Sequence, residues 1–308
     1  MTILRAPILW VTGLPPVRGV ITRTGLGRRV AGRFVAGDAL EDGMTAARQL
    51  GADGIAAMLD HLGEEVGSPA QAAAAADSYI RALKRIRESP ELDCNISVKL
   101  TQLGLQISTE LCTENMERVL QVAAEASPPT LVMIDMEASQ YVDRTLRVYL
   151  ALRDRFPACG LAIQSYLYRS AGDVRQIEGP AAIVRMVKGA YLEPAEVAMR
   201  RMRDIRGSFA RLSATLLSAG AVVHVATHDP RLVRGAESFV RRRGIPRDRY
   251  EFQMLYGIRR DLQAGLVADG EPVRVYVPYG TQWYPYLTRR MAERPQNLWF
   301  FASNVLRR

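Results

Sequence analysis

Two of the chain's three lysines, Lys99 and Lys188, and two of its three histidines, His61 and His228, stand at or just past the ends of short apolar runs. The same positions hold Asp60, Gln102, Asp135, Glu137, Gln164, Tyr166, Arg185, Gly189, Thr227, Asp229, Gln253, Tyr256, Tyr276 and Tyr279. Lys99 and Arg185 are the most informative, because a cation inside an apolar run needs a carboxylate partner or an anionic ligand. Asp135 is the candidate partner. A buried lysine also suits a Schiff base, so Lys99 or Lys188 leaves a lyase or aldolase open. Lys, Arg, Gln, Gly and Thr/His gathered along one rim suit a flavin or another anionic cofactor. His224 falls mid-run and reads as a core histidine.

Several other chemistries lack their parts. The three histidines are well separated, which does not suit a metal hydrolase. Asp135 and Glu137 stand too close in sequence for a glycosidase pair. No P-loop, HExxH or GxSxG is present, and Gly25, Gly27 and Gly32 lack the spacing of a dinucleotide turn.

Near the end, the aromatic stretch TQWYPYLTRRMAER (281–294) predicts a helix with adjacent Arg289 and Arg290. Helical neighbours diverge by about 100°, yet both converge on one ligand if the helix lies across a cavity mouth. Paired guanidinium groups grip carboxylates and phosphates. Glu293, one turn on from Arg289, can hold it in place. A plain basic surface helix is the alternative.

The elements that must position these residues follow from periodicity. Apolar, often β-branched runs predict strands at Ile55–Leu59, Ile96–Leu100, Leu131–Met136, Leu161–Ser165, Ile183–Val187, Val222–Ala226, Phe252–Leu255 and Val273–Val277. Helical patterns lie between them, at 70–87, 114–126, 142–155, 196–219, 230–242 and 259–269. Eight such alternations read as a (βα)8 barrel, whose active site lies at the carboxyl ends of its strands. Residues 1–50 form an N-terminal helical arm. Residues 51–308 form the single catalytic barrel, with the last helix over its mouth.

Composition sets the remaining bounds. The chain has 308 residues, 48% hydrophobic, and 41 Lys+Arg against 32 Asp+Glu, for a formal charge of +9. All but three of the basic residues are arginine. Cys94, Cys112 and Cys159 are too scattered for a zinc site or a disulfide framework and read as small hydrophobes. No apolar run is long enough for a membrane span, and no signal-peptide order opens the chain. A cytoplasmic location is expected.

At these motifs the sequence resembles the proline dehydrogenase family, in its short monofunctional bacterial form. The matching stretches are FVAG (34–37), LDHLGE (59–64), SVKLTQLGL (97–105), MIDMEAS (133–139), IQSYLYR (163–169), VRMVKGAY (184–191), ATHDP (226–230), FQMLYG (252–257), VYVPYG (275–280) and YLTRRMAERPQNL (286–298). The resemblance implies a distorted (βα)8 barrel that binds FAD at its mouth. It implies oxidation of L-proline to 1-pyrroline-5-carboxylate, with electrons passed to a membrane quinone. Lys99, Arg289 and Arg290 would hold the proline carboxylate, with Glu293 supporting the arginines. Tyr276 would pack on the pyrrolidine ring, and Leu255 would line the pocket. Asp135 and Arg185 would be the catalytic polar pair, Arg185 lying near the flavin's reactive nitrogen. Met136, Gln164, Arg185, Lys188, Gly189, Ala190, Thr227 and His228 would contact FAD. Leu192 follows KGAY where long bifunctional relatives often carry Trp.

A chain this short leaves the product to a separate pyrroline-5-carboxylate/glutamate-semialdehyde dehydrogenase. Nucleic acid is not an expected partner. Residues 1–33, where an apolar-aromatic patch (8–11) adjoins Arg18, Arg23, Arg28, Arg29 and Arg33, suit peripheral contact with a membrane, and an arm packed against the barrel is the alternative. The carboxylate clamp has a direct consequence. Arg289→Met or Arg290→Met should raise the proline KM by the equivalent of about 2–5 kcal/mol with FAD still bound. An unchanged KM in both variants would remove that assignment.

Overall fold

The computed structural model describes residues 31–63 and 66–293, with side chains to Thr288. Eight parallel strands close into a barrel in sequence order, the eighth pairing with the first. They are β1 Ala56–His61, β2 Cys94–Val98, β3 Val132–Ile134, β4 Cys159–Gln164, β5 Ile183–Val187, β6 Val222–Ala226, β7 Tyr250–Leu255 and β8 Val273–Tyr279. All eight fall where apolar periodicity predicts them, shifted by a few residues at the ends. β3 is shorter than expected. Only the Asp135 amide, bonded to the Val98 carbonyl at 2.9 Å, extends its pairing before the chain turns away.

Among the described residues the α-helices are α1 Leu40–Ala52, α2 Pro69–Arg87, α3 Thr109–Ala124, α4 Val142–Leu152, α5 Ser170–Ile177, α6 Met202–Ser218, α7 Pro230–Arg243, α8 Arg260–Ala268 and α9 Trp283–Glu293. Their starts follow capping chemistry. Ser68 and Ser108 accept from the amides of Gln71 and Leu111, and Asp229 accepts from Arg231. Proline at the first helical position starts α2 and α7. Three details differ from the sequence expectation: α3, predicted from 114, already starts at Thr109 behind its Ser108 cap. α5 is absent from the predicted set because eight residues carry little periodic signal. The stretch predicted from Glu196 becomes helical only at Met202. Its first residues are spoken for, since the Tyr168 amide donates to Val197 O and the Met199 amide to Tyr166 O.

Among the described residues, buried side chains form two clusters. The larger lies between strands and helices and includes Tyr79, Tyr149, Phe209 and Phe252; α1 adds Met44, Ala46, Ala47 and Leu50 to it. The smaller joins Ala31, Phe34 and Val35 to Leu62, just past β1, and to Trp283, Tyr284, Tyr286 and Leu287 of α9. It seats α9 at the carboxyl end of the barrel, as expected for the last helix. Among the described residues, no helix is long and apolar enough to cross a membrane.

Gly257 ties the loop after β7 to the segment at 31–35. Its φ is +72°, and a Cβ there would stand 1.8 Å from the Arg33 carbonyl oxygen. Both backbone and space therefore require glycine. Gly257→Ala should destabilise the protein by about 2–4 kcal/mol in urea unfolding. Gly265→Ala, inside α8 with open space around it, should instead stabilise by about 0.5–1 kcal/mol.

Candidate active site

Side chains from five strands and their carboxyl ends meet inside the barrel. Lys99 Nζ, just past β2, donates to Asp60 Oδ1 of β1 at 2.6 Å and to Asp135 Oδ2, just past β3, at 3.1 Å. It also donates to the Tyr276 hydroxyl of β8 at 3.2 Å. Tyr276 in turn donates to Asp135 Oδ2 at 2.8 Å. The other oxygen of Asp135 accepts from Arg185 Nη1 of β5 at 2.6 Å and from Ser97 Oγ at 2.8 Å. Two cations thus face two carboxylates, and the buried set is electrically balanced. Arg185 and Lys99 also stand over the Tyr276 ring, 5.3 and 5.9 Å from its centroid.

The electrostatics fix the proton positions. Burial opposes charge on Lys99, yet Asp60, Tyr276 and Asp135 hold it well above the usual lysine value. Burial works to raise the Asp135 carboxyl, but Lys99 and Arg185, with bonds from Ser97 and Tyr276, keep it below its ordinary value. Burial, Asp135 and Asp60 push Tyr276 far up, so it remains a phenol and a donor. At neutral pH Lys99 is therefore an ammonium, Asp135 a carboxylate and Tyr276 a neutral phenol. An ammonium held by three oxygens has no lone pair for a carbonyl, which argues against a Schiff base at Lys99.

Above this cluster opens a cavity of about 680 Å³. Lys99, Asp135, Met136, Gln164, Arg185, Lys188, Gly189, Ala190, Thr227, His228, Leu255 and Tyr276 all line it. Every residue given a catalytic, substrate or cofactor role whose side chain is described thus meets at one site, whereas the strand-end residues His61, Gln102, Glu137, Asp229, Tyr256 and Tyr279 do not line it. Arg289, Arg290 and Glu293 fall within α9, but their side chains lie outside the described residues. Residues 1–30, which carry most of the expected membrane contact, lie outside as well.

One wall is built largely from backbone. Gln164 Nε2 donates to the Glu137 carbonyl at 2.8 Å, and its Oε1 accepts from the Ala190 amide at 3.0 Å. This brace aligns the turn after β5. Gly189 sits in that turn at φ +129°, where a Cβ would stand 2.2 Å from the Tyr166 ring. His228 Nε2 accepts from the Leu255 amide at 2.9 Å, coupling the ends of β6 and β7. Asp229 accepts from Arg206 Nε at 2.7 Å and stands 3.6 Å from Lys188 Nζ.

Sequence reasoning placed Asp60 and Gln253 at strand ends without giving them a role, and it missed Ser97 and part of the apolar lining. Asp60 is fully buried against Lys99. Ser97 and Gln253 touch Arg185. Ala226, Met254, Ile205 and Tyr286 supply much of the apolar lining. His224 is buried in β6, as its mid-run position implied.

Residues 44–302 match the family model described as proline dehydrogenase. The chain belongs to the proline dehydrogenase family. It is 41% identical to the proline dehydrogenase of Deinococcus radiodurans over 283 residues, 90% of each chain. It is 39% identical to proline dehydrogenase 1 of Bacillus subtilis strain 168, over 92% of each. Its fold is that of proline utilization A from Bdellovibrio bacteriovorus, with a TM-score of 0.81 at 23% identity. That match covers 87% of this chain and 33% of the other, so the chain spans a third of that longer protein. Proline dehydrogenase family membership makes this chain an oxidoreductase, and the 44–302 match runs from α1 through the whole barrel and α9.

Deeper in this proline dehydrogenase-family barrel, His224 sets a pH dependence. Burial lowers its pKa from 6.5 to about 4; Glu251 opposes the shift, while Arg274 and Arg185 add to it. The unfolded ring binds a proton that the folded ring refuses. The stability it contributes is therefore complete above about pH 6.5 and is lost as pH falls toward 4. Unfolding midpoints should drop across that window, and His224→Asn should drop less.

Proposed function

We propose that this chain oxidises L-proline to 1-pyrroline-5-carboxylate, with FAD as its resident cofactor and a membrane quinone as the final electron acceptor. The observation that carries the reading is the balanced Asp60–Lys99–Asp135–Arg185 set beneath an open cavity. Such a set offers a cation for a carboxylate and an anion for a developing iminium within one site.

The residues present suit FAD. The wall of Gln164, Lys188, Gly189, Ala190, Thr227 and His228 offers cations, an amide and close backbone approach, and Met136 and the Arg185 guanidinium adjoin it. Bound there, FAD supplies the hydride acceptor. Lys99, with Arg289 and Arg290 on α9, binds the proline carboxylate; Glu293 steadies the arginines. Tyr276 and Leu255 flank the pyrrolidine ring, which aims the carbon beside nitrogen. Apolar neighbours such as Met136, Ile205 and Leu255 exclude water from the ring. The proline ammonium first loses a proton to solvent. Ionised Asp135 then stabilises the cationic product as hydride leaves, and Arg185 keeps that carboxylate in place.

In this reading a separate pyrroline-5-carboxylate/glutamate-semialdehyde dehydrogenase takes the product. The arginine-rich residues 1–33 bring the mouth to the cytoplasmic face of the membrane, where quinone resides.

The visible spectrum under anaerobic conditions tests the proposal. The purified protein should show a flavin spectrum that bleaches with L-proline and not with D-proline. A flavin spectrum that persists overturns the substrate, and a colourless protein inactive after FAD addition overturns the cofactor. Asp135→Asn should keep the flavin spectrum and lower kcat by roughly 100-fold.

A further inference from the structure

Beneath the cavity the barrel interior continues as a column of polar side chains. Register sets Arg185 beside His224, His224 beside Glu251, and Gln253 beside Arg274. Arg185 Nε donates to Gln253 Oε1 at 2.8 Å. Gln253 Nε2 donates to Glu251 Oε1 at 2.8 Å. Glu251 also accepts from Arg274 Nε at 3.0 Å. Arg274 Nη1 is anchored on the Ala57 carbonyl and Asp93 Oδ1, each at 2.9 Å.

The two ends of this column force its hydrogen-bond directions. A guanidinium only donates, and an ionised carboxylate only accepts. Gln253 must therefore turn its oxygen to Arg185 and its nitrogen to Glu251. Its second amide hydrogen points at His224 Nδ1, 2.9 Å away. That ring nitrogen must be bare, with the ring proton on Nε2. A proton on Nδ1 would set donor against donor. Rotating the amide to escape would turn nitrogen toward Arg185 and oxygen toward Glu251, breaking two further matches. Groups from three strands face the imidazole: Glu251 and Gln253 of β7, Arg185 of β5 and Arg274 of β8. Burial and the two guanidinium groups outweigh the pull of Glu251 and keep the ring neutral.

We propose that His224 and Gln253 are positioning residues for Arg185. The bare Nδ1 of neutral His224 locks the Gln253 amide, and the amide locks the rotation of the guanidinium toward Asp135 and the cavity. The kinetic consequence rests on the function proposed above. The tautomer does not.

Nitrogen-15 NMR of histidine-labelled, FAD-loaded wild-type protein reads the lock directly, since only three histidines need assignment. His224 should show a protonated Nε2 and a bare Nδ1 from about pH 8 to about pH 5. A protonated Nδ1 anywhere in that range overturns the proposal, whatever becomes of proline oxidation. Kinetics supply the second arm. Gln253→Met should lower kcat for proline by roughly 10- to 100-fold, with KM within about threefold. His224→Leu should lower kcat likewise. His224→Asn, which keeps an acceptor near the Nδ1 position, should restore most of it. Equal losses in the Leu and Asn variants, or an unchanged kcat in Gln253→Met, overturn the lock. Wild-type protein whose flavin does not bleach with proline defeats the substrate assignment and leaves the tautomer to decide this one. The same wild-type spectrum decides if a variant fails to fold.

Discussion

The architecture of this barrel depends on how Asp135 is satisfied. A carboxylate taken out of water loses hydration worth several kcal/mol, which only close and well-directed partners recover. Each Asp135 oxygen has two: Lys99 and Tyr276 on one side, Arg185 and Ser97 on the other. Those partners come from β2, β5 and β8 or the turns that follow them, so their meeting depends on closure of the whole sheet. Lys99 carries a second burden, Asp60, which is fully buried. Removing any one ion leaves an uncompensated charge in the interior. The cluster is therefore a constraint on strand register as much as a chemical tool.

Much of this was legible in the chain. Parallel strands buried on both faces read as continuous apolar runs, so all eight could be placed. Against that background a lysine or arginine stands out, and Lys99, Arg185 and Asp135 announced themselves. The turn residues Gly189, Thr227 and His228 followed from the rule that barrel chemistry gathers at strand carboxyl ends. Family resemblance then attached roles to positions already singled out.

What was not legible depends on direction and register. Asp60 carries the same signal as Lys99, but its inward aim follows only from its pairing opposite Ser97 and Pro278. Gln253 stood out only as a polar residue at a strand end, and its role needs the Arg185–His224–Glu251 alignment that puts three groups around it. Tyr286 reaches the cavity from a helix that follows the last strand, and periodicity cannot say where such a helix docks. The delayed start of α6 has a similar cause: the 166–168 backbone captures residues 197–199, a contact with no local sequence signature.

The two apolar clusters differ in what they hold. The large one secures the barrel, while the small one secures only the cover made by α9 and residues 31–35. Separately packed units can open at separate free energies. Lifting the cover would expose eight buried side chains and leave the strand ladder paired. Opening of the mouth would then carry its own free energy, separate from that of the barrel. Trp283 and Phe34 then bear on how readily the mouth opens, and the strand and helix core on whether the barrel holds.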